Sequence, residues 1–286
     1  MTTPRRRPLN IVPRRPTGKS ATFGQSAVYH QGPLLIEPRI TPLYLSFDDR
    51  GDDWLNPYPY GDLVSLAINP LNELYAHLSL AEGWFELLSR TYSVPAYPIG
   101  GASYVLGPTP YCPVPFSVWL RQSHPGAWTQ EEIARMIISA IEYENVPQPD
   151  IHSLYCVWLP PGQSAWVDEK YTQKTCRDVC GFHAFDTQKW PFAYTVATVP
   201  DLGSCSGCFN FVDRGTMTYE RWFAANLEII ATHEVAEAVT DPYATGEGWV
   251  IGEDEVCDVC VDAGPGRDVV HWYAKFWDNT SGSCIP

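Results

Sequence analysis

Apolar residues recur every three or four positions through TQEEIARMIISAIEYENV, residues 129–146. Ile133, Met136, Ile137, Ala140 and Ile141 form one stripe, which predicts a helix. Thr129 is its N-cap, with acids in the first turn. Residues 62–92 also read as helical, punctuated by Pro70. A third and longer helix is predicted over roughly Tyr219 to Val239, stopped by Pro242 after Thr240 and Asp241. Between the helices lie short apolar runs typical of buried strands: ITPLYLSFDD from Ile40, ASYVLG, PFSVWLRQ, SLYCVWLP and FAYTVATVP. VVHWYAKFW near the C-terminus predicts a final strand. No repeat is visible. Strands mixed with three helices predict a single α/β or α+β domain.

Composition supports that picture. The chain has 286 residues, 45% of them hydrophobic, enough to bury a substantial core. The 26 prolines and 21 glycines predict many turns and irregular loops. The net charge is −14, unevenly spread. Residues 1–20 hold five Arg, one Lys and no acid, and read as a disordered Pro-rich arm. The domain proper is residues 21–286. It carries a net −20, which disfavours nucleic acid as a partner because that binding rests on phosphate neutralisation. Apolar runs are broken well before the roughly 18 residues a membrane span needs, so no span is expected. The N-terminus lacks the apolar core of a signal peptide, so either a leader has been removed or export uses another route.

Cysteine usage points to an oxidising compartment. Seven of the nine cysteines lie in the last 111 residues. Their clustering predicts disulfides in an exported protein, ahead of a four-cysteine zinc site built from Cys176, Cys180, Cys205 and Cys208. The triplet Asn279-Thr280-Ser281 is a glycosylation acceptor pattern and agrees with export.

The chemistry concentrates at the end of the last helix, in IIATHEVAEAVTDP. His233 and Glu237 stand at i and i+4, on one face, where they can converge on one ion. Glu234 is about 100° further round. In the H-E-x-x-H pattern of metalloproteases the glutamate is the general base and the second histidine a ligand. Here Glu237 occupies that second position. The bland reading is a charged helix end. Against it stands the preceding run WFAANLEIIA, which marks a core helix, where His233 and two carboxylates need partners or a metal. Seventeen residues separate Glu237 from Glu255, and Asp258 follows three on; either is placed to be a third ligand.

HEVAEAVTDP, then Trp249, EVCDVC and WYAKFWDNTSGSC, resemble the phosphate-induced protein family, also called exordium-like. CRDVCGFHAF and PFAYTVATVPDLGSCSGCFNF are similar to two further segments of that family. The resemblance covers about Ile151 to Pro286; residues 40–150 match only in general layout. It implies a zincin-like domain: a mixed sheet, an active-site helix and a Cys-rich, loop-rich C-terminal half, in a usually secreted protein. Carried over, the zinc ligands are His233 and Glu237 with Asp258 or Glu255, and Glu234 is the general base. His183 falls on a family histidine and is implied as a further ligand or an oxyanion stabiliser. Cys260 and Cys284 fall on the closing disulfide. Cys257 departs from the pattern, where small residues are usual; it is left to pair with Cys112 or Cys156, or to stay free. Asp278 departs too, standing where Ser or Asn is usual, and neither departure removes a ligand.

Two carboxylate ligands formally cancel the charge of a dication. They weaken it as a Lewis acid and open the site to harder ions such as Mn²⁺ or Ca²⁺. Two function classes therefore stand: a secreted zinc metallopeptidase that hydrolyses peptide or protein substrates through a metal-activated water, and a secreted non-catalytic protein that keeps the metal for stability and binds cell-wall or surface partners. Trp249, Trp272, Tyr273 and Trp277 are candidates either for a substrate cleft or for the core.

Overall fold

The computed structural model describes residues 26–35, 37–45, 57–58, 61–78, 83–94, 99–100, 104–106, 126–143, 146–187, 189–201, 205–244, 246–252, 254–268 and 270–285. The basic arm, Cys112, the run PFSVWLRQ and Glu253 lie outside them. The strands are β1 (Val28–Tyr29), β2 (Arg39–Leu45), β3 (Pro57–Tyr58), β4 (Gly61–Asp62), β5 (Ile99–Gly100), β6 (Tyr104–Leu106), β7 (Ser153–Leu159), β8 (Gly181–Asp186), β9 (Phe192–Thr198), β10 (Trp249–Ile251), β11 (Asp254–Glu255), β12 (Gly266–Arg267), β13 (Trp272–Tyr273), β14 (Phe276–Asp278) and β15 (Ser283–Ile285). The α-helices are α1 (Asn69–Leu78), entered through a π-helical turn at Val64–Ile68, α2 (Trp84–Tyr92), α3 (Gln130–Tyr143) and α4 (Tyr219–Thr240).

The fold is mixed α+β. Its main sheet runs β5-β2-β7-β9-β8, with β6 also on β2. β5, β6, β2, β7 and β9 are mutually parallel, and β8 closes one edge antiparallel to β9. Every residue of β7 and β9 is buried, as in a sheet covered on both faces. Strand alternation divides the two cores. Leu154, Cys156 and Trp158 pack with α1, α2 and α4, while Tyr155, Val157 and Leu159 pack with α3. The same alternation sorts β8. Phe182 and Ala184 belong to the α3 core, which turns the intervening His183 toward α4.

Helix α3 begins as its sequence predicts, with a reciprocal capping box. Glu132 N donates to Thr129 Oγ1 at 3.1 Å and Thr129 N donates to Glu132 Oε2 at 2.7 Å. Helix α4 differs in kind. It is buried on every side from Phe223 to Thr240, so no face of its last five turns is left to solvent. Its polar residues therefore need partners inside the protein.

The C-terminal region departs from expectation in one place. VVHWYAKFW is not one strand. Trp272–Tyr273 pairs with β12 and Phe276–Asp278 with β15, in separate two-stranded sheets. The break falls at Ala274, whose N–H donates to Thr232 Oγ1 of α4 and whose carbonyl accepts from Trp84 Nε1, both at 2.8 Å. Docking on two helices takes that backbone out of any ladder. The CGFHAF segment is a strand of the main sheet, which its mixed sequence did not announce.

Three disulfides tie the loops: Cys176–Cys205, Cys180–Cys208 and Cys260–Cys284. The first two use the four cysteines of the alternative zinc site. Cys156 and Cys257 are buried and free, and not joined to each other. No helix among the described residues is long and apolar enough to cross a membrane.

Candidate metal centre

Three elements converge beside the last turns of α4. The helix brings His233, Glu234 and Glu237, β8 brings His183, and the turn from β11 into a 3-10 helix (Asp258–Ala263) brings Glu255 and Asp258. His233 Nε2 stands 3.0 Å from Glu237 Oε1 and 3.4 Å from Asp258 Oδ1. His183 Nε2 is 3.3 Å from Glu255 Oε1, and its Nδ1 is 3.9 Å from an oxygen of Glu234 and of Glu237. Glu237 belongs to three groups whose ligand atoms lie within 4.8 Å of one another: with His233 and Cys257, with His183 and Glu234, and with Glu255 and Asp258.

Proximity here is not hydrogen bonding. His183 Nδ1, His233 Nε2, both oxygens of Glu234 and of Glu237, Glu255 Oε2 and Asp258 Oδ1 are buried with no hydrogen-bond partner. Such atoms cost about 1–3 kcal/mol each when left unsatisfied, more when charged. Clusters of them gathered around Glu237 are what a cation would relieve. Imidazole nitrogens and carboxylate oxygens are the donor set of zinc and of harder divalent ions, so the residues fit.

Local sequence explains the placement. Asp241 caps the end of α4: its N–H donates to Glu237 O at 2.7 Å, and its carboxylate accepts from Gly246 N at 2.7 Å and Gly248 N at 3.2 Å. A Cβ on Gly248 would lie 2.0 Å from Thr240 O, so only glycine fits that return. The carbonyl of Asp241 then accepts from His183 Nε2 at 3.0 Å, so Nδ1 is the nitrogen that can give a lone pair once the ring loses a proton. Gly181 admits Glu234: a Cβ there would meet Glu234 Oε1 at 2.8 Å and its Cγ at 3.0 Å. The acidic turn is held by β11 pairing with β10, by Trp277 N donating to Val256 O at 3.0 Å, and by Cys260–Cys284.

The cation-free cluster is electrostatically unbalanced, with four carboxylates against two histidines. Burial raises Glu234 to about 8, reinforced by Glu237 and opposed by the histidines. Burial likewise raises Asp258 to about 6 and Glu255 well above the carboxylate range. Glu237 also suffers burial, but His233 and His183 overcome it and hold it below its ordinary value. Burial alone would lower His183; Glu255, Glu237 and Glu234 raise it to about 10. The cluster therefore pulls in positive charge, as protons or as a metal ion.

All six side chains singled out for metal or base chemistry meet at this point. Two further residues belong to it. Cys257, an odd cysteine in the sequence, has its sulfur within ligand range of His233 and Glu237. Asp241 positions His183; its signal was the Asp-Pro at the helix end, read there only as a stop. A cavity of about 240 Å³ opens against His233 and Cys257, walled by Phe211, Val261, Pro265 and Lys275 among others. None of the four aromatics considered for a cleft lines it. Tyr273 and Trp277 are core residues, Trp249 stacks on Tyr29 and donates to Tyr92 O, and Trp272 lies under Arg267. Asn279 is exposed, and its amide pairs through both atoms with the backbone of Ala27.

The chain matches no family model, no curated protein and no solved structure.

Proposed function

We propose that the chain is an exported, exordium-like zinc metallopeptidase of the zincin type, acting on peptide or protein substrates. One observation carries the reading: His233, Glu237, Glu255 and Asp258 come from two separate elements and present buried, unpartnered donor atoms to one another. Three disulfides and the lack of a spanning helix among the described residues agree with export. In this reading His233 and Glu237 hold the ion with Asp258 or Glu255, and His183 offers Nδ1 as a further donor. When bound, zinc supplies Lewis acidity, lowering the pKa of water and polarising a scissile carbonyl. Glu234, grouped with His183 and Glu237 and without a hydrogen-bond partner, is the general base in this reading.

A second reading has its own observation. Glu234 is 1% exposed, wedged against Gly181 of β8, and absent from the wall of the cavity that touches His233. A base sealed on the sheet side suits a metal kept for stability in a protein that binds cell-wall or surface partners. Two measurements separate the readings. Elemental analysis is expected to find one zinc per chain, lost in His233→Ala. Saturating zinc at about a hundredfold excess over Kd is expected to stabilise the wild type by about 2.7 kcal/mol. Glu234→Gln is then expected to keep the zinc and abolish cleavage of a peptide library. A wild type that binds zinc and cleaves nothing rejects the peptidase reading; a chain that never binds zinc rejects both.

A further inference from the structure

Cys257 is buried, outside every disulfide among the described residues, and sits where the acidic turn enters the 3-10 helix, between Glu255 and Asp258. Its sulfur, a donor atom of His233 and a carboxylate oxygen of Glu237 all lie within 4.8 Å of one another. His233 Nε2 and both Glu237 oxygens are buried without a hydrogen-bond partner, and these are the two residues with which the thiol is grouped. The other two candidate groups hold only nitrogen and oxygen, or oxygen alone. The cavity of about 240 Å³ distinguishes the groups further: its wall includes His233 and Cys257 and no member of the other two. Of the three groups, only the one that holds sulfur has two of its members, His233 and Cys257, in the cavity wall.

We infer that Cys257 supplies a thiolate ligand, so that the centre takes a thiophilic divalent cation such as Zn²⁺, Co²⁺ or Cd²⁺ through a His233–Glu237–Cys257 set, in preference to Ca²⁺ or Mg²⁺. This rests on the metal-site reading above, keeps His233 and Glu237, and puts Cys257 in place of Asp258 or Glu255 as the third ligand. Binding is an exchange of a proton for the ion: the sulfur–hydrogen bond breaks, the proton leaves to solvent, and the sulfur lone pair is given to the cation. Soft thiolate raises affinity for zinc-like ions and does little for calcium or magnesium, which prefer oxygen. With the Glu237 carboxylate and the Cys257 thiolate the set still holds two anionic ligands, so it weakens the ion as a Lewis acid as two carboxylates do, and it leaves Glu255 and Asp258 as outer partners.

Cobalt(II) tests this directly on the full chain with its disulfides intact. A thiolate ligand gives an intense sulfur-to-cobalt charge-transfer band in the near ultraviolet, beside the visible ligand-field bands. We expect that band in the wild type and in Cys156→Ser, which changes the other free buried thiol. We expect Cys257→Ser to lose the band and at least about tenfold in cobalt affinity, a loss that even an outer partner's removal causes. Calcium in excess should not displace the cobalt. Visible bands at one cobalt per chain without the charge-transfer band in the wild type overturn the inference and leave the metal site standing. So does a disulfide between Cys257 and Cys112 found by peptide mapping. A chain that binds no cobalt at all removes the metal reading and this inference together. Because the decisive spectrum is that of the wild type, a misfolded variant does not obscure the outcome.

Discussion

Two buried glutamates on one helix behave in opposite ways. Glu228 and Glu234 both lie in the stretch of α4 that is covered on every side, each about 1% exposed. Glu228 is fully served. Its Oε1 accepts from Arg221 Nη1 at 2.8 Å and pairs with His271 Nδ1 at 3.0 Å, and its Oε2 accepts from Trp272 N at 2.9 Å. Burial opposes its ionisation, yet those partners hold it below the ordinary carboxylate value. Glu234 has no hydrogen-bond partner for either oxygen, and burial raises it to about 8. The difference separates structure from chemistry. A buried carboxylate is no sign of a site; one left without partners, in company with others, is.

The largest expected effect falls at the satisfied end. Glu228→Ala strands the Arg221 guanidinium, the His271 ring and the Trp272 N–H around a hole. Leaving the buried His271 ring and the Trp272 N–H without their acceptor costs about 1–3 kcal/mol, while Arg221, a third exposed, keeps access to water. Equilibrium unfolding in urea should show that loss, while zinc stoichiometry stays at that of the wild type. A Glu228→Ala protein of unchanged stability, or one that folds but loses its metal, would break the comparison.

The unsatisfied end should respond with the opposite sign. In metal-free protein, Glu234→Gln replaces a carboxyl that burial disfavours with a neutral amide of the same shape. The gain is expected near 1 kcal/mol, the low end for a buried unsatisfied group, because the amide also lacks partners. Chelator-treated wild type and variant, compared by urea unfolding, measure it. A destabilised variant would show that Glu234 has a partner in solution after all.

How much of this was legible beforehand follows from the same contrast. Helix α3 announced itself through its stripe and its Thr129 cap, because one of its faces meets solvent. Helix α4 has no such stripe, being buried all round; its end was legible from Pro242 and its chemistry from the spacing of His233, Glu234 and Glu237. Glu255 and Asp258 were proposed from their spacing after Glu237, but that His183 meets them could only be carried by resemblance, since 49 residues separate it from His233 and local patterning says nothing over that span. Glu228 was invisible as a network. Its partners come from the preceding turns and from the segment after β12, and only tertiary structure joins them. Cys257 was noticed as an odd residue but not as a neighbour of His233, because nothing local shows which way a turn aims its side chains.

The smallest effect lies at the outer end of the Glu228 network. Asp268 Oδ1 accepts from His271 N and Val270 N, both at 2.6 Å; Oδ2 accepts from Tyr273 Oη at 2.5 Å and pairs with His77 Nε2 at 3.1 Å. Partial burial works against its charge, but Tyr273, the two backbone donors and His77 together hold it down at about 2. A depressed carboxylate stabilises the fold above its unfolded pKa, near 3.9, and that stability is lost as the pH falls toward about 2. About a third of the Asp268 side chain is exposed, so solvent screening keeps the contribution below about 1 kcal/mol. Asp268→Asn should therefore flatten the stability of chelated protein between about pH 4 and pH 2 and leave it close to the wild type at the acid end. The two curves should separate as the pH rises through that window and run parallel above it. Curves that separate instead between pH 6 and 8 would mean that the Asp268–His77 pair, 3.1 Å apart, governs the effect rather than the carboxylate alone.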